Sequence, residues 1–302
     1  MNDRISKNAS EKNAVNNLDP SSFGVLYVVA TPIGNLADIS HRALRVLADV
    51  SCVLAEDTRH SKRLFNHYGI STKLRACHEH NEAGLVSWVA AQLNQGQDLA
   101  LISDAGTPLI SDPGFVIVRA LRKLGHQICA VPGASSIIAA LSIGGLATDS
   151  FVFDGFLPAK SAARKTQLAN YLEQSRTIVV LESSHRINNC LVDIAEVLGN
   201  HRRVVLAREI TKKFETVLDG TVAELVERLA QDPDQSRGEF VLMIEGAPVV
   251  EKDQAELGAL LRVLLAELPM KQASGIAAKI TGSRKNEVYE LALAIKAESE
   301  ED

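Results

Sequence analysis

The segment Ile102–Gly114, ISDAGTPLISDPG, holds two aspartates, two prolines and two glycines. It starts on the end of an apolar, strand-like run, LALIS (Leu99–Ser103). Ligands of open α/β sheets bind in loops just beyond the C-terminal ends of the strands. Glycine lets a ligand approach the backbone closely. Asp104 can accept hydrogen bonds from an ammonium or hydroxyl group. Turn formers alone do not require so long a loop, which favours binding over a structural turn. Two shorter loops follow other strand-like runs, TPIGN at Thr31–Asn35 and PGASS at Pro132–Ser136. Three loops at one sheet edge can converge on a single elongated ligand. No G-x-x-x-x-G-K-[ST] occurs and no G-x-G-x-x-G follows a strand, so kinase-like and NAD-dependent chemistry lose their main support.

The elements that must position these loops are legible from hydrophobic periodicity. LYVVA (Leu26–Ala30), CVLAE, LALIS and QICAV read as buried strands, alternating with helical stretches. One helix carries Ala43, Leu44, Val46 and Leu47 behind Ser40 as N-cap. Another, FVIVRALRKLG, stops at Gly125. EDTRHSK between them reads as a polar turn. Strands separated by helices of this length make βαβ units and a parallel sheet. After a break near Gly144–Ser150 a second α/β pattern begins: FVFDGF, a helix to Gln174, TIVVLE, a helix HRINNCLVDIAEVLG, RVVLA and EFVLMIEG. FETVLDGTV adds short, turn-separated strand character, so the second sheet is expected to be mixed. Residues 249–302 carry no strand pattern and read as amphipathic helices with an acidic frayed end, ESEED. The expected organisation is a disordered leader at 1–22, α/β domains at 23–148 and 149–248, and a helical basic module at 249–302.

Composition sets the outer limits. The chain has 302 residues, 46% of them apolar and 23% charged, ordinary for a soluble globular protein. No run approaches the roughly 18 apolar residues of a membrane span, and the polar start of the chain has no signal-peptide core. Four scattered cysteines without CxxC spacing fit a reduced, cytoplasmic setting. Cys52 and Cys129 read as small buried hydrophobes, and Trp88 as core. The net charge of −5 means that any nucleic-acid surface must be local. CHEH at 77–80 offers alternating histidines, but without a third ligand it makes no metal site. His60 and His67 read as surface or satisfied residues.

Taken in order, LYVVATPIGNLADI (26–39), AEDTR (55–59), HEHNE (78–82), ISDAGTPLISDPG, GFLP (155–158), ESSHR (182–186), REITKKFE (208–215) and GEFVLMIEG (238–246) resemble the ribosomal RNA small subunit methyltransferase I family. The likeness runs from 26 to 295, and ISDAGTPLISDPG with REITKKFE is highly specific as a pair. It departs at Ala134 and Ser136, where the family often reads PGPSA, and at Ser184, where proline is common. The resemblance implies two α/β domains of tetrapyrrole-methylase type with S-adenosylmethionine in the interdomain cleft, plus the C-terminal helical module. It implies 2′-O-methylation of a cytidine ribose in small-subunit (16S) ribosomal RNA or the 30S particle, by a homodimer. Carried over residue by residue, the donor site is Ile33, Gly34, Asp104, Ala105, Gly106, Thr107, Ser135, Ser136 and Leu181, with Glu182 on the second domain's side.

A ribose hydroxyl is a weak nucleophile, so the implied reaction calls for positioning and a general base. Candidates are Glu56 and Asp57, Glu182 and His185, and His78 or His80. Arg59, Arg186 and Arg208 could bind flanking phosphates, although Asp57 beside Arg59 is as well explained as an ion pair. The RNA surface is sought in Lys271, Lys279, Arg284 and Lys285, in Arg202, Arg203, Lys212 and Lys213, and in Lys160, Arg164 and Lys165. The alternatives are a methyltransferase acting on a small tetrapyrrole-like molecule, disfavoured by the basic C-terminal module, and a non-catalytic RNA-binding factor.

Overall fold

The computed structural model describes residues 23–248 and 254–300; the expected leader at 1–22 lies outside them. Five strands form the first sheet: β1 (Leu26–Val29), β2 (Cys52–Ala55), β3 (Leu74–Ala76), β4 (Leu99–Ile102) and β5 (Ile128–Val131). Their order is β3-β2-β4-β1-β5 and every pairing is parallel. β2 and β4 are buried along their whole length, as expected for strands covered on both faces. The side chains alternate between two cores. Leu54, Leu99 and Leu101 pack toward α3 (Glu82–Asn94) and α4 (Phe115–Lys123). Val53, Ala55, Ala100 and Ile102 pack toward α1 (His41–Asp49) and α2 (Thr58–Tyr68). Ser40 caps α1 by accepting from the Ala43 N–H at 3.0 Å.

Two local readings are corrected. The EDTRHSK segment is not a turn. Asp57 is the N-cap of α2, accepting from the Arg59 N–H at 2.8 Å, so the polar run is a helix start. The strand β3 carries no sequence signal, because it has three residues at a sheet edge and no fully buried position.

The second sheet contains β6 (Phe151–Phe156), β7 (Thr177–Ser183), β8 (Arg203–Arg208), β9 (Thr216–Thr221) and β10 (Glu239–Ile244). Its order is β6-β7-β10-β8-β9, with β6–β7 parallel and the other pairings antiparallel, so it is mixed as expected. One face packs on α6 (Ser161–Ala169), α7 (Ile187–Leu198) and α8 (Val222–Gln231) through Ile178, Val180, Leu206 and Leu242. The helix α6 stops five residues short of the expected Gln174. The opposite face receives α5 (Ser136–Gly144), the helix that follows β5 of the first sheet. Ile137, Ala140 and Leu141 of α5 pack on Val179, Val205, Val241 and Met243. Gly144 lets α5 approach closely: a Cβ there would sit 2.6 Å from the Met243 methyl carbon, so that side chain would have to shift. The α5 helix thereby joins the loops of one sheet to the face of the other.

Residues 246–302 form a separate compact unit. Its helices are α9 (Gln254–Glu267), α10 (Met270–Thr281) and α11 (Lys285–Glu300), and its core includes Leu257, Leu261, Ala277, Val288 and Ala292. α11 runs through Glu300, and the last two residues of the expected frayed end, 301–302, lie outside the described residues. No helix among the described residues is long and apolar enough to cross a membrane. Trp88 is half-buried, with the Arg75 guanidinium 4.0 Å over its ring. Cys52 is buried, Cys129 only partly, and all four cysteines are free.

Candidate active site

The three post-strand loops are stitched together by backbone and hydroxyl hydrogen bonds. The Thr31 N–H donates to the Gly106 carbonyl at 2.9 Å and the Gly106 N–H returns to Thr31 at 3.1 Å. The Thr31 hydroxyl reaches the Ser103 carbonyl at 3.3 Å, and the Thr107 hydroxyl reaches the Ala134 carbonyl at 3.2 Å. Gly106 has φ of 79°, and a Cβ there would lie 3.2 Å from Ile33 Cγ2. A side chain at 106 is thus opposed by both conformation and space.

These loops form one wall of a cavity of about 370 Å³. The wall includes Ile33, Ala105, Gly106, Thr107, Ser135 and Ser136. The opposite wall comes from the second sheet: Leu181 and Glu182 of β7, Ala207 of β8, Phe240 and Val241 of β10. The volume falls within the range of small-molecule sites, and the lining is mostly apolar with a few polar groups, as such sites are built.

Glu182 enters that wall by its backbone, not by its carboxylate. Its side chain is wholly inaccessible. One carboxylate oxygen, Oε1, accepts from the Ser183 N–H at 2.9 Å and lies 3.0 Å from Arg186 Nε. The other, Oε2, is buried with no partner in the protein. Along β7 the Glu182 side chain shares the face of Ile178 and Val180, toward α7, so its carboxylate lies behind the cavity wall and orients Arg186. Arg186 faces inward, donating to the Leu157 carbonyl. His185 is exposed and lines neither this cavity nor the second one described below.

Gly34 and Asp104 do not line the cavity; both hold loops in place. A Cβ on Gly34 would lie 2.5 Å from Lys212 Cγ and 2.8 Å from Thr211 Oγ1. The next residue, Asn35, donates its N–H to that same hydroxyl at 3.1 Å. Gly34 is where the first loop meets the 208–215 loop. Asp104 accepts from the Asp57 N–H at 3.0 Å, and its own N–H faces Glu56 Oε2 at 3.4 Å. Asp57 is also paired with Arg59 through both carboxylate oxygens. The Arg59 guanidinium holds the Asp57 carboxyl well below the usual carboxylate range, which makes it a poor base. Burial raises the Glu56 pKa, the nearby negative charges raise it further, and the hydrogen bond from the Asp104 backbone opposes them.

Much of the expected RNA surface is engaged within the protein. Arg208 is buried and donates to the Arg237 and Phe214 carbonyls at 2.6 and 3.1 Å. Lys212 lines the cavity with Nζ 2.9 Å from both Glu209 and Glu239. Arg203 pairs with Asp219, and Arg202 donates to the Glu245 carbonyl. Arg164 is 3% exposed and paired with Asp193 at 2.7 Å, while Lys165 pairs with Glu196. Lys213, Lys271, Lys279, Arg284 and Lys285 are exposed.

The description Tetrapyrrole (Corrin/Porphyrin) Methylases matches residues 25–226, and RsmI C-terminal HTH domain matches 251–296. Ribosomal RNA small subunit methyltransferase I of Pseudomonas aeruginosa is 52% identical over 281 residues, covering 92% of this chain and 100% of the relative. The protein of that name from Escherichia coli O157:H7 is 47% identical, covering 90% and 96%. The chain belongs to the ribosomal RNA small subunit methyltransferase I family. Solved tetrapyrrole methylases share its fold. The uroporphyrin-III-C-methyltransferase of Thermus thermophilus aligns with a TM-score of 0.50 at 22% identity over 74% of this chain and 94% of that one. The methyltransferase CobJ aligns with a TM-score of 0.55 at 16% identity over 74% and 95%.

Ribosomal RNA small subunit methyltransferase I proteins use S-adenosylmethionine as methyl donor, and so does this chain. The cavity fits that cofactor: it has small residues against the loop backbone, a mostly apolar lining and no P-loop-like cradle. A second cavity of about 550 Å³, lined by Glu56, His78, His80 and Glu82 among others, shares two residues with the first, Ser111 and Asp112. Sequence reasoning includes both residues in a binding loop but gives neither a role. Ile210 and Phe156, also in the first cavity's lining, fall in the motifs REITKKFE and GFLP but are given no role there. Among the described residues, no group of three or more His, Cys, Asp or Glu side chains is placed to hold a metal ion.

Proposed function

We propose that this chain transfers the methyl group of S-adenosylmethionine to the ribose 2′-oxygen of a cytidine in small-subunit (16S) ribosomal RNA. The reading rests on family membership and above all on one observation: a ligand-sized cavity walled by three stitched post-strand loops on one side and the second sheet on the other. Ile33, Gly106, Thr107, Ser135, Ser136 and Leu181 would hold the donor. The sulfonium centre supplies an activated methyl group with a good leaving group. What remains for the protein is to hold a ribose oxygen in line and to take its proton. The exposed cations of the C-terminal unit, Lys271, Lys279, Arg284 and Lys285, suit phosphate contacts that position RNA without reading sequence. A small tetrapyrrole-like acceptor would leave that unit without a role.

A cytoplasmic homodimer is part of the same reading. Phe115 and Val116 on α4 are 58% and 38% exposed and offer an apolar face; sedimentation at micromolar concentration tests it. The reaction is tested by incubating the protein with S-adenosylmethionine and small ribosomal subunits that lack the modification, then digesting the RNA to nucleosides for mass spectrometry. 2′-O-methylcytidine is the expected product. A methylated base, or no product, would overturn the reading.

A further inference from the structure

We propose that Asp112 is the general base of the methyl transfer, standing in the partition between the donor cavity and a second cavity that receives the acceptor nucleotide. The inference builds on the ribose-methylation reading above. A general base must reach the acceptor hydroxyl at the point where that hydroxyl faces the methyl donor. Only Ser111 and Asp112 line both cavities. Glu56, His78 and Glu82 line only the second cavity, and the Glu182 carboxylate is buried on the α7 face of its strand. Asp57 is committed to Arg59, and His185 lines neither.

The backbone holds Asp112 in place by strain. Leu109 and Ser111 have φ of 74° and 64°, left-handed conformations that cost non-glycine residues energy and cluster at functional sites. Ser111 is backed by Gly155 of β6, whose Cβ would lie 3.4 Å from the serine Oγ. Pro113 then fixes the next φ.

The charges facing Asp112 are negative on most sides. Glu56, Glu79 and Glu82, with His78 and His80, surround the second cavity. Glu239 and Lys212 line the first, with the Glu182 carboxylate behind its wall, and Lys212 is already held by Glu209 and Glu239. Asp104 lies in the same loop. Burial first, and then the fields of Glu56 and Asp104, push the Asp112 carboxyl up to about 6, against the Ser103 hydroxyl. A carboxylate of that basicity is ionised at neutral pH yet accepts a proton more readily than an ordinary aspartate. In the reaction the O2′–H bond breaks and its proton passes to an Asp112 carboxylate oxygen. The oxygen forms its bond to the methyl carbon as the carbon–sulfur pair returns to sulfur, leaving a neutral thioether.

The test combines D112N and D112E with three measurements. Calorimetry with S-adenosylhomocysteine sets a saturating donor concentration for each variant, because Asp112 also lines the donor cavity. Single-turnover transfer to small ribosomal subunits should fall about 10²- to 10⁴-fold in D112N, the usual contribution of a general base. The wild-type rate should rise with pH through about 6 and level off; D112N should lose that slope and D112E keep one. Carbon-13 NMR of the unliganded wild type should show an aspartate carboxyl titrating near 6 that is missing in D112N. A carboxyl at Asp112 that titrates in the ordinary aspartate range overturns the proposal, whether or not D112N folds. So does a D112N rate that matches wild type with its pH slope intact. A wild-type protein that transfers no methyl to ribosomal RNA overturns the ribose reading and this assignment together.

Discussion

Single residues at the cleft are chosen for what they permit their neighbours to do. Gly34 is the clearest case, because its value lies in the missing Cβ rather than in ligand contact. In Gly34→Ala the new methyl would meet Lys212 Cγ at 2.5 Å and Thr211 Oγ1 at 2.8 Å. The long Lys212 side chain can yield, but it is held by Glu209 and Glu239. Overpacking of this kind costs about 1–3 kcal/mol. The expected result is a lower Tm and weaker S-adenosylhomocysteine binding by calorimetry, since the displaced loops line the donor cavity; unchanged affinity would show that the two loops move independently. Asp112 illustrates the opposite case. Its folded-state pKa lies above the ordinary aspartate value, so the ionised form destabilises the fold. That penalty is absent below about pH 4, grows as pH rises toward 6, and is complete above 6. D112N removes it. A tenfold difference in proton affinity between folded and unfolded chain corresponds to roughly 1.4 kcal/mol. Chemical denaturation should therefore show D112N more stable than wild type by up to about 3 kcal/mol at pH 8, with the difference vanishing by about pH 4. A D112N protein that is less stable at pH 8 would contradict this.

At the scale of elements, strands and helices are legible where burial imposes a period and illegible where it does not. β2 and β4 are buried end to end and announce themselves as continuous apolar runs. β3 has no buried residue and is invisible in the sequence. The start of α2 reads as a turn because capping residues and turn residues are the same chemical types; only the Asp57 side-chain bond to the Arg59 N–H distinguishes them. Charged residues are harder still. Lys160, Arg164 and Lys165 look like a basic surface in sequence, but Asp193, which neutralises Arg164, lies 29 positions away on α7. That pair ties α6 to α7. Arg164 Nε and Asp193 Oδ2 are 2.7 Å apart with both side chains almost fully buried, and the Ser161 hydroxyl donates to the other carboxylate oxygen at 2.8 Å. Removing one partner strands a buried charge, at a cost of about 3–5 kcal/mol. Asp193→Ala should therefore lower the denaturation midpoint strongly, while Asp193→Ala with Arg164→Met should recover much of the loss. Equal destabilisation by the single and double variants would mean that the pair is not what holds these helices.

For the whole molecule, the place of the cavity proposed for the donor is legible in sequence because ligands of parallel sheets bind beyond the strand ends. Which basic residues meet RNA is not, because that depends on which cations the fold consumes internally. Arg164, Lys165, Arg203, Arg208 and Lys212 are all engaged within the 23–245 region. In the proposed reading, the exposed positive charge of the C-terminal unit, at Lys271, Lys279, Lys285 and at Arg284 beside Glu287, contacts phosphate. That unit has its own core around Leu261, Ala277 and Val288, separate from the cores of the two sheets. Binding and chemistry at the donor should then be separable from RNA capture. A chain ending at residue 248 should keep its cooperative unfolding and its affinity for S-adenosylhomocysteine. Its transfer to small ribosomal subunits should fall by an order of magnitude or more through KM. Each phosphate contact contributes about one unit of slope in log affinity against log salt. The full chain should accordingly lose RNA affinity steeply between low and moderate salt, and replacing Lys271, Lys279 and Lys285 by glutamine should flatten that slope by about three. If the triple variant kept the full salt slope, the phosphates would be met elsewhere, with the exposed Lys213 beside Phe214 as the next place to look.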